Sequence, residues 1–148
     1  MNKFKRYLSS EIGIEFKASL YFFFILFFYC VYKVINSSLQ ADIIIMAEMI
    51  ATTYIMGYIQ VFLLRNFEET EKVGSFEVLA CIGCSLVYVI ESYICNWFEK
   101  DLLVTGIFAA YMVFGYFCMI AVYYVKRHFD TEVLNNDLDD FKSRRDLS

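Results

Sequence analysis

Hydrophobic residues along the chain fall into four long runs, which short polar segments separate. The runs cover residues 18–36, 43–64, 76–94 and 102–125. A helix rises about 1.5 Å per residue, so roughly 20 apolar residues cross the hydrocarbon core of a bilayer. Each run has about that length. The pattern therefore predicts an all-α protein, a polytopic bundle of four transmembrane helices in a lipid bilayer.

The segments outside these runs are short. An N-terminal segment precedes the first run, and a tail of residues 126–148 follows the fourth. The chain is 59% hydrophobic with a mean hydropathy of +0.51, and no stretch is long enough for a separate soluble domain. Residues 1–148 are therefore predicted to form one membrane domain. The first run lacks the small-residue cleavage site of a signal peptide, so we expect it to be retained as a span.

The basic residues predict the orientation. In a four-span topology the N-terminal segment, the loop between spans two and three and the C-terminal tail share one side. These regions hold four, two and five Lys and Arg residues, whereas the other side holds only Lys33 and Lys100. Positive charge accumulates on the cytoplasmic side, so both termini are predicted to be cytoplasmic. The chain has a net charge of −4 and no basic face, which argues against direct binding to nucleic acid.

The second and third spans each carry a polar face. At roughly 100° per residue, the third span gathers polar and small side chains in one arc: Glu77, Cys81, Cys84, Tyr88, Glu91 and Cys95. The second span does the same at i, i+4 steps: Glu48, Thr52, Met56 and Gln60. Such residues are typical of helix contacts in membranes. A short loop joins the two spans, so we expect Gln60 near Glu77 at the inner end and Glu48 near Glu91 towards the outer end.

Glu48 and Glu91 admit two interpretations. Carboxylates that share a site resist ionising together, so one is expected to hold a proton or a cationic partner, and Lys33 and Lys100 are the candidates. The functional interpretation is a proton or cation site, or a docking point for a cationic peptide or helix. The structural interpretation is a polar contact that fixes the register of the helices. The sequence leaves both open.

No catalytic, cofactor or metal site is predicted. Cys81 and Cys84 form a C-x-x-C pair, but a zinc site needs four nitrogen or sulfur ligands, and the only histidine, His128, lies in the tail. Catalytic pairs need an electropositive, accessible setting, so packing between helices is the favoured interpretation of these cysteines. The sequence has no nucleophile–base pair and no phosphate-binding loop. We therefore predict that the protein is not an enzyme.

Three further patterns concern packing. The aromatic run of the first span, YFFFILFFYCVY, is expected to pack on a neighbouring helix. Gly106 and Ala110 in span four form a small-xxx-small pair that would let another helix approach closely, although such pairs are common by chance. Residues 4–16 fit either a short interfacial helix or a basic segment that only sets the topology. Self-association of the chain stays open.

The tail predicts an amphipathic helix. Leu134, Leu138 and Phe141 recur at i, i+4 and i+7, which gives one apolar stripe, and Asp130 or Thr131 is the expected N-cap. A helix of that length is marginal alone, so it should dock on something. The alternatives are packing within the protein, lying on the membrane, and binding a cytoplasmic partner.

Three segments resemble a family of small four-span membrane proteins of Firmicutes, catalogued as a domain of unknown function: EIGIEFKASLYFFFILFFYCVYKV, MAEMIATTYIMGYIQVFLLRNFEE and LNNDLDDFK. The resemblance covers almost the whole chain and implies a bacterial cytoplasmic membrane protein. Genes of this family often neighbour LytTR-type DNA-binding regulators, frequently near ABC-transporter genes, and the membrane partner is thought to restrain the regulator. The resemblance implies no catalytic residues.

The resulting hypothesis is a small membrane regulator. Its cytoplasmic face, residues 66–72 and the tail from Asp130, would tether a LytTR-type transcription regulator, and Glu48 and Glu91 would couple an external signal to that face. One alternative is a small proton-coupled transporter in which Glu48 or Glu91 is the essential acid. Another is an accessory membrane subunit of an ABC exporter.

Overall fold

The computed structural model describes residues 3–146, which contain four long helices and no strand. The long helices are α1 (Lys3–Ile35), α2 (Ile43–Tyr58), α3 (Ser75–Ile94) and α4 (Leu102–Asp146). A π-helical segment, Ile59–Leu63, extends α2, and a 3₁₀ turn, Phe67–Glu69, follows it. Each long helix, with α2 taken through Leu63, is long and apolar enough to cross a membrane. The predicted all-α, four-span bundle is confirmed, and the protein is a multi-pass membrane protein.

The chain runs up and down through the bundle. α1 packs along α2, and α3 packs along α4. We call one end of the bundle the basal end: there α1 begins, the α2–α3 loop (residues 64–74) turns, and α4 continues beyond its neighbours. The opposite end carries the loops of residues 36–42 and 95–101.

Polar side chains set the starts of three helices. Asp42 Oδ1 accepts a hydrogen bond at 2.9 Å from the N–H group two residues later, at the start of α2. Asp101 Oδ1 does the same for α4, also at 2.9 Å. At the start of α3, Glu77 Oε2 accepts the Gly74 N–H at 2.8 Å. These acceptors satisfy N–H groups that have no carbonyl partner within the first helical turn.

The first and last helices, α1 and α4, are both longer than predicted. Residues 4–16 do not form a separate interfacial helix but belong to the first turns of α1. The prediction of a separate tail helix is also wrong, because α4 runs unbroken through Asp146. Neither Asp130 nor Thr131 caps a helix there, and Thr131 Oγ1 donates to the Arg127 carbonyl at 2.9 Å within α4. The chain has no proline, so no missing N–H group forces α4 to end at the membrane surface.

Aromatic rings bridge α1 and α4, as expected for the aromatic run of the first span. The Phe24 and Tyr111 rings stack with centroids 4.0 Å apart, and the Tyr21 and Tyr116 rings lie 4.8 Å apart. Phe28 meets Phe108 at 5.2 Å nearer the opposite end. Offset and tilted ring pairs add a modest attraction beyond the area that they bury.

Two glycines lie where helices come close. A Cβ atom at Gly57 of α2 would lie 3.2 Å from Ile14 Cγ2 and 3.5 Å from the Ile14 carbonyl oxygen of α1. A Cβ atom at Gly115 of α4 would lie 2.4 Å from the Phe24 ring. At Gly106, in contrast, a Cβ atom would meet nothing within 4 Å. The small-xxx-small pair of Gly106 and Ala110 therefore makes no helix contact within residues 3–146, and both residues are exposed.

Candidate functional site

The polar faces of α2 and α3 turn towards the bundle interior, as predicted. Thr52 and Gln60 of α2 are buried, and so is Tyr88 of α3. Glu48, Glu77 and Glu91 are half-buried. Cys81 and Cys84 are buried free thiols, which agrees with a packing role. The helical periodicity therefore identified the inward face of both spans.

Glu48 and Glu91 lie around Thr52 near the opposite end of the bundle. The Thr52 hydroxyl contacts both Glu91 Oε1 and, at 2.8 Å, the Glu48 carbonyl oxygen of its own helix. Trp97, in the α3–α4 loop, donates from Nε1 to Glu48 Oε2 at 3.1 Å. The predicted neighbourhood of these two acids is confirmed. Their side chains accept hydrogen bonds from neutral donors.

The prediction that Lys33 or Lys100 pairs with Glu48 or Glu91 is wrong. Lys33 Nζ lies 3.8 Å from Glu99 in the α3–α4 loop, and it sits over the Tyr29 ring at 5.6 Å. Within residues 3–146, no ion pair joins Lys33 or Lys100 to Glu48 or Glu91. Lys100 lies in a loop turn with φ of 55°, outside the helices.

The predicted contact between Gln60 and Glu77 is wrong as well. Gln60 lies in the π-helical segment and donates from Nε2 to the Tyr116 hydroxyl of α4 at 2.6 Å. Glu77 caps its own helix through Gly74. Helix ends commonly use a nearby carboxylate in this way, and that local bond prevails over the contact between spans.

The densest polar site lies at the basal end, in an arrangement that the sequence did not predict. We call Lys17, Tyr21, Asn66 and Glu68 the basal cluster. Lys17 Nζ lies 3.2 Å from Glu68 Oε2 and donates to Asn66 Oδ1, while the Tyr21 hydroxyl donates to Glu68 Oε1. Lys17 and Glu68 are each 1% exposed. An ion pair this buried needs its hydrogen bonds to offset the loss of hydration.

The loop conformation brings Glu68 inside. Arg65 and Asn66 take left-handed φ values of 52° and 57°, which reverse the chain after the π-helical segment. The Asn66 N–H then donates to the Gln60 carbonyl at 2.8 Å. Phe67 follows as a buried ring, 5.8 Å from the Tyr116 ring. The 3₁₀ turn is thus held inside the basal end of the bundle.

A second cationic side chain holds the outer edge of this loop. Arg127 of α4 donates from Nη2 to the Glu69 carbonyl oxygen. The Glu69 carboxylate lies 3.6 Å from Lys17 Nζ, and Lys17 also sits over the Tyr123 ring at 5.4 Å. The loop is therefore tied to α1 and to α4 by charged groups. This arrangement corrects the prediction for residues 66–72, since Phe67 and Glu68 are buried and only the later residues of that stretch are accessible.

Burial dominates the electrostatics of Glu68. Loss of hydration raises the pKa of its carboxyl group, because burial penalises the charged form; the Lys17 charge and the Tyr21 hydrogen bond oppose that rise. The group thus holds a proton more readily than an exposed glutamate does. The basal cluster has no nucleophile or metal set, so its chemistry is that of a charge-compensated tie between α1 and the α2–α3 loop.

One sequence signal points to Lys17. Ile14, Lys17, Tyr21 and Ile25 lie on one face of α1 at helical spacing, and three of the four are apolar or aromatic core residues. A lysine within such a stripe needs a buried partner. The identity of that partner was not readable, because Glu68 lies in a different loop and enters only through the left-handed turn.

The tail residues predicted to bind a partner lie on an accessible surface. We call residues 126–146 the α4 extension. Leu134, Leu138 and Phe141 are 69%, 51% and 66% exposed. The alternative that this stripe packs within the protein is therefore wrong for the described part of the chain.

Residues 3–146 contain no group of three or more His, Cys, Asp or Glu side chains arranged to hold a metal ion. Comparison of the chain with protein-family models, curated proteins and solved structures gives no match.

Proposed function

We propose that this protein is a small membrane regulator that holds a LytTR-type DNA-binding regulator at the bacterial cytoplasmic membrane through the α4 extension. The observation that carries the proposal is the exposed stripe of Leu134, Leu138 and Phe141 on a helix that leaves the bundle. At about 1.5 Å per residue, the extension reaches roughly 30 Å beyond the membrane. Both termini lie in the cytoplasm in this proposal, as the basic residues predict.

The charge around the stripe suits a basic partner. Residues 128–141 of the extension carry five acidic residues and no Lys or Arg: Asp130, Glu132, Asp137, Asp139 and Asp140. An apolar stripe with acidic flanks fits a hydrophobic groove with a basic rim, which is the helix-in-groove mode of recognition. DNA-binding domains carry basic faces. An extension bound to that basic face would compete with DNA for it, and this competition would explain how the membrane protein restrains the regulator.

The resemblance to the four-span family supports the identity of the partner. Family members are often encoded beside LytTR-type regulators, and the LNNDLDDFK segment that carries part of the resemblance includes Leu134, Leu138 and Phe141. The same segment thus carries the accessible stripe and the acidic flanks.

The test is a mild-detergent pull-down of the tagged full-length chain from its host, followed by mass spectrometry. The double variant Leu138→Asp, Phe141→Asp is compared with Asn135→Asp, Asn136→Asp, which adds the same charge to neighbouring exposed positions. We expect wild type and the asparagine control to recover the regulator and the stripe variant to lose it. Equal recovery by all three proteins, or recovery of no DNA-binding protein by wild type, would refute the proposal.

A further inference from the structure

A cleft of about 680 Å³ opens between α1 and α4 at the basal end. Its α1 wall includes Ile12, Phe16 and Leu20, and its α4 wall includes Met119 and Val122. Phe16 and Val122 are more than half exposed, so the cleft is open to the surroundings of the bundle. At Gly13, which also lines it, a Cβ atom would meet nothing within 4 Å. The two helices are therefore separated here.

The polar edge of the cleft carries two cationic residues, Lys126 and Arg127. Arg127 Nη2 is held by the Glu69 carbonyl, but Nη1 is buried and has no hydrogen-bond acceptor within residues 3–146. A buried guanidinium N–H without an acceptor is costly, so this group favours an anionic ligand. Two carboxylates also line the cleft: Glu69 lies within ion-pair distance of Lys17, and Asp130 is exposed to solvent.

An apolar groove of about 600 Å³ continues from the cleft towards the opposite end of the bundle. Leu20, Met119 and Val122 line both spaces, so the two are continuous. Further along, the groove is lined almost entirely by apolar side chains, including Phe27 and Cys118. A cationic site that opens into a long apolar groove matches a phosphate group attached to a hydrocarbon chain.

The depth of the site relative to the membrane surface fits such a ligand. Arg127 contacts the α2–α3 loop, which connects the ends of two spans and thus marks the surface of the membrane. The groove runs from this level along the spanning part of α1 and α4. Lys and Arg at the membrane surface attract anionic headgroups by about 1 kcal/mol each.

We propose that the cleft binds one anionic glycerophospholipid, with its phosphodiester on Arg127 and Lys126 and one acyl chain in the α1–α4 groove. The guanidinium supplies the N–H donors to the phosphate oxygens, and Lys126 supplies a second positive charge. Lys126 and Arg127 line the cleft, and a headgroup that carries no cation of its own leaves its phosphate free to pair with both of them, which favours an anionic headgroup over a zwitterionic one.

The test measures lipid retained by the purified full-length protein. Protein in detergent is mixed with equal amounts of dioleoyl phosphatidylglycerol and dioleoyl phosphatidylcholine, and native mass spectrometry counts the bound lipids. We expect wild type to retain one phosphatidylglycerol in preference to phosphatidylcholine. Arg127→Gln should lower that retention about tenfold, as expected for loss of a hydrogen bond to a charged group. Lys142→Gln, Arg144→Gln, which removes two positive charges from the α4 extension, should leave retention unchanged.

Two more variants separate lipid binding from a loosened loop. Lys126→Gln removes a charge without touching the Glu69 contact, and Cys118→Trp fills the apolar groove without changing charge. Each should reduce retention of phosphatidylglycerol. Equal retention of the two lipids, or normal retention by both of these variants, would overturn the proposal. A dimeric wild type that Cys118→Trp converts to monomer would also overturn it, because a second copy would then occupy the groove.

Discussion

Lys17 and Glu68 form an ion pair at 3.2 Å between two side chains that are almost fully excluded from solvent. The pair joins α1 to the α2–α3 loop. Tyr21 and Asn66 complete its hydrogen bonding.

We predict that breaking this pair from one side destabilises the protein strongly. Lys17→Met leaves the Glu68 carboxylate buried without its cation, and Glu68→Gln leaves the Lys17 ammonium without its anion. Loss of one partner of a buried pair typically costs about 3–5 kcal/mol. The measurement is thermal unfolding in detergent, followed by helical circular dichroism.

The matched control is the more exposed pair of Lys33 and Glu99, whose side chains are 20% and 71% exposed. Lys33→Met should change stability little, since exposed pairs contribute about 0–1 kcal/mol. The double variant Lys17→Met, Glu68→Leu should regain much of the loss. If Lys17→Met and Lys33→Met behaved alike, the basal cluster would have no structural role.

Glu68 should also give the stability a pH dependence. Burial raises its pKa above the ordinary value of 4.5, so the folded protein binds this proton more tightly than the unfolded chain does. The contribution of Glu68 is therefore fully present below pH 4.5 and declines as the pH rises through its pKa in the folded state. The melting temperature of wild type minus that of Glu68→Gln should fall over this range. A difference that rises with pH would show that the Lys17 charge outweighs burial.

Gly115→Ala should destabilise the contact between α1 and α4. The new Cβ atom would lie 2.4 Å from the Phe24 ring, so that ring must leave its stack with Tyr111. Overpacking of this kind costs about 1–3 kcal/mol. Gly106→Ala is the control, because its Cβ atom meets open space and alanine gains about 1 kcal/mol over glycine within a helix. Equal melting temperatures for the two variants would mean that Phe24 adjusts freely.

Glu48→Gln should leave partner recovery unchanged under the proposed function. Gln keeps an acceptor for Trp97 Nε1, which now donates to Glu48 at 3.1 Å. Liposomes with purified wild type should show no cation movement when a proton gradient is applied. Cation movement that Glu48→Gln or Glu91→Gln abolishes would instead support the transport alternative.

Helical periodicity was enough to predict the four spans and the inward faces that include Thr52 and Tyr88. It failed where the chain leaves a regular helix. Glu68 reaches Lys17 only because Arg65 and Asn66 adopt left-handed backbone angles, and no residue pattern specifies that pair of angles for an arginine. The sequence places Gln60 on the correct face but predicts the wrong partner, since the π-helical segment alters the local register and Tyr116 lies opposite.

The unbroken course of α4 has a mechanical consequence. A helix without a proline or a loop at the membrane surface behaves as a rigid rod, so a tilt of its spanning part also tilts the α4 extension. A rotation of about 10° within the spanning part would move the end of the α4 extension by about 5 Å, given its length of roughly 30 Å. Small rearrangements between α1 and α4 are thereby magnified at Phe141, far from the bilayer.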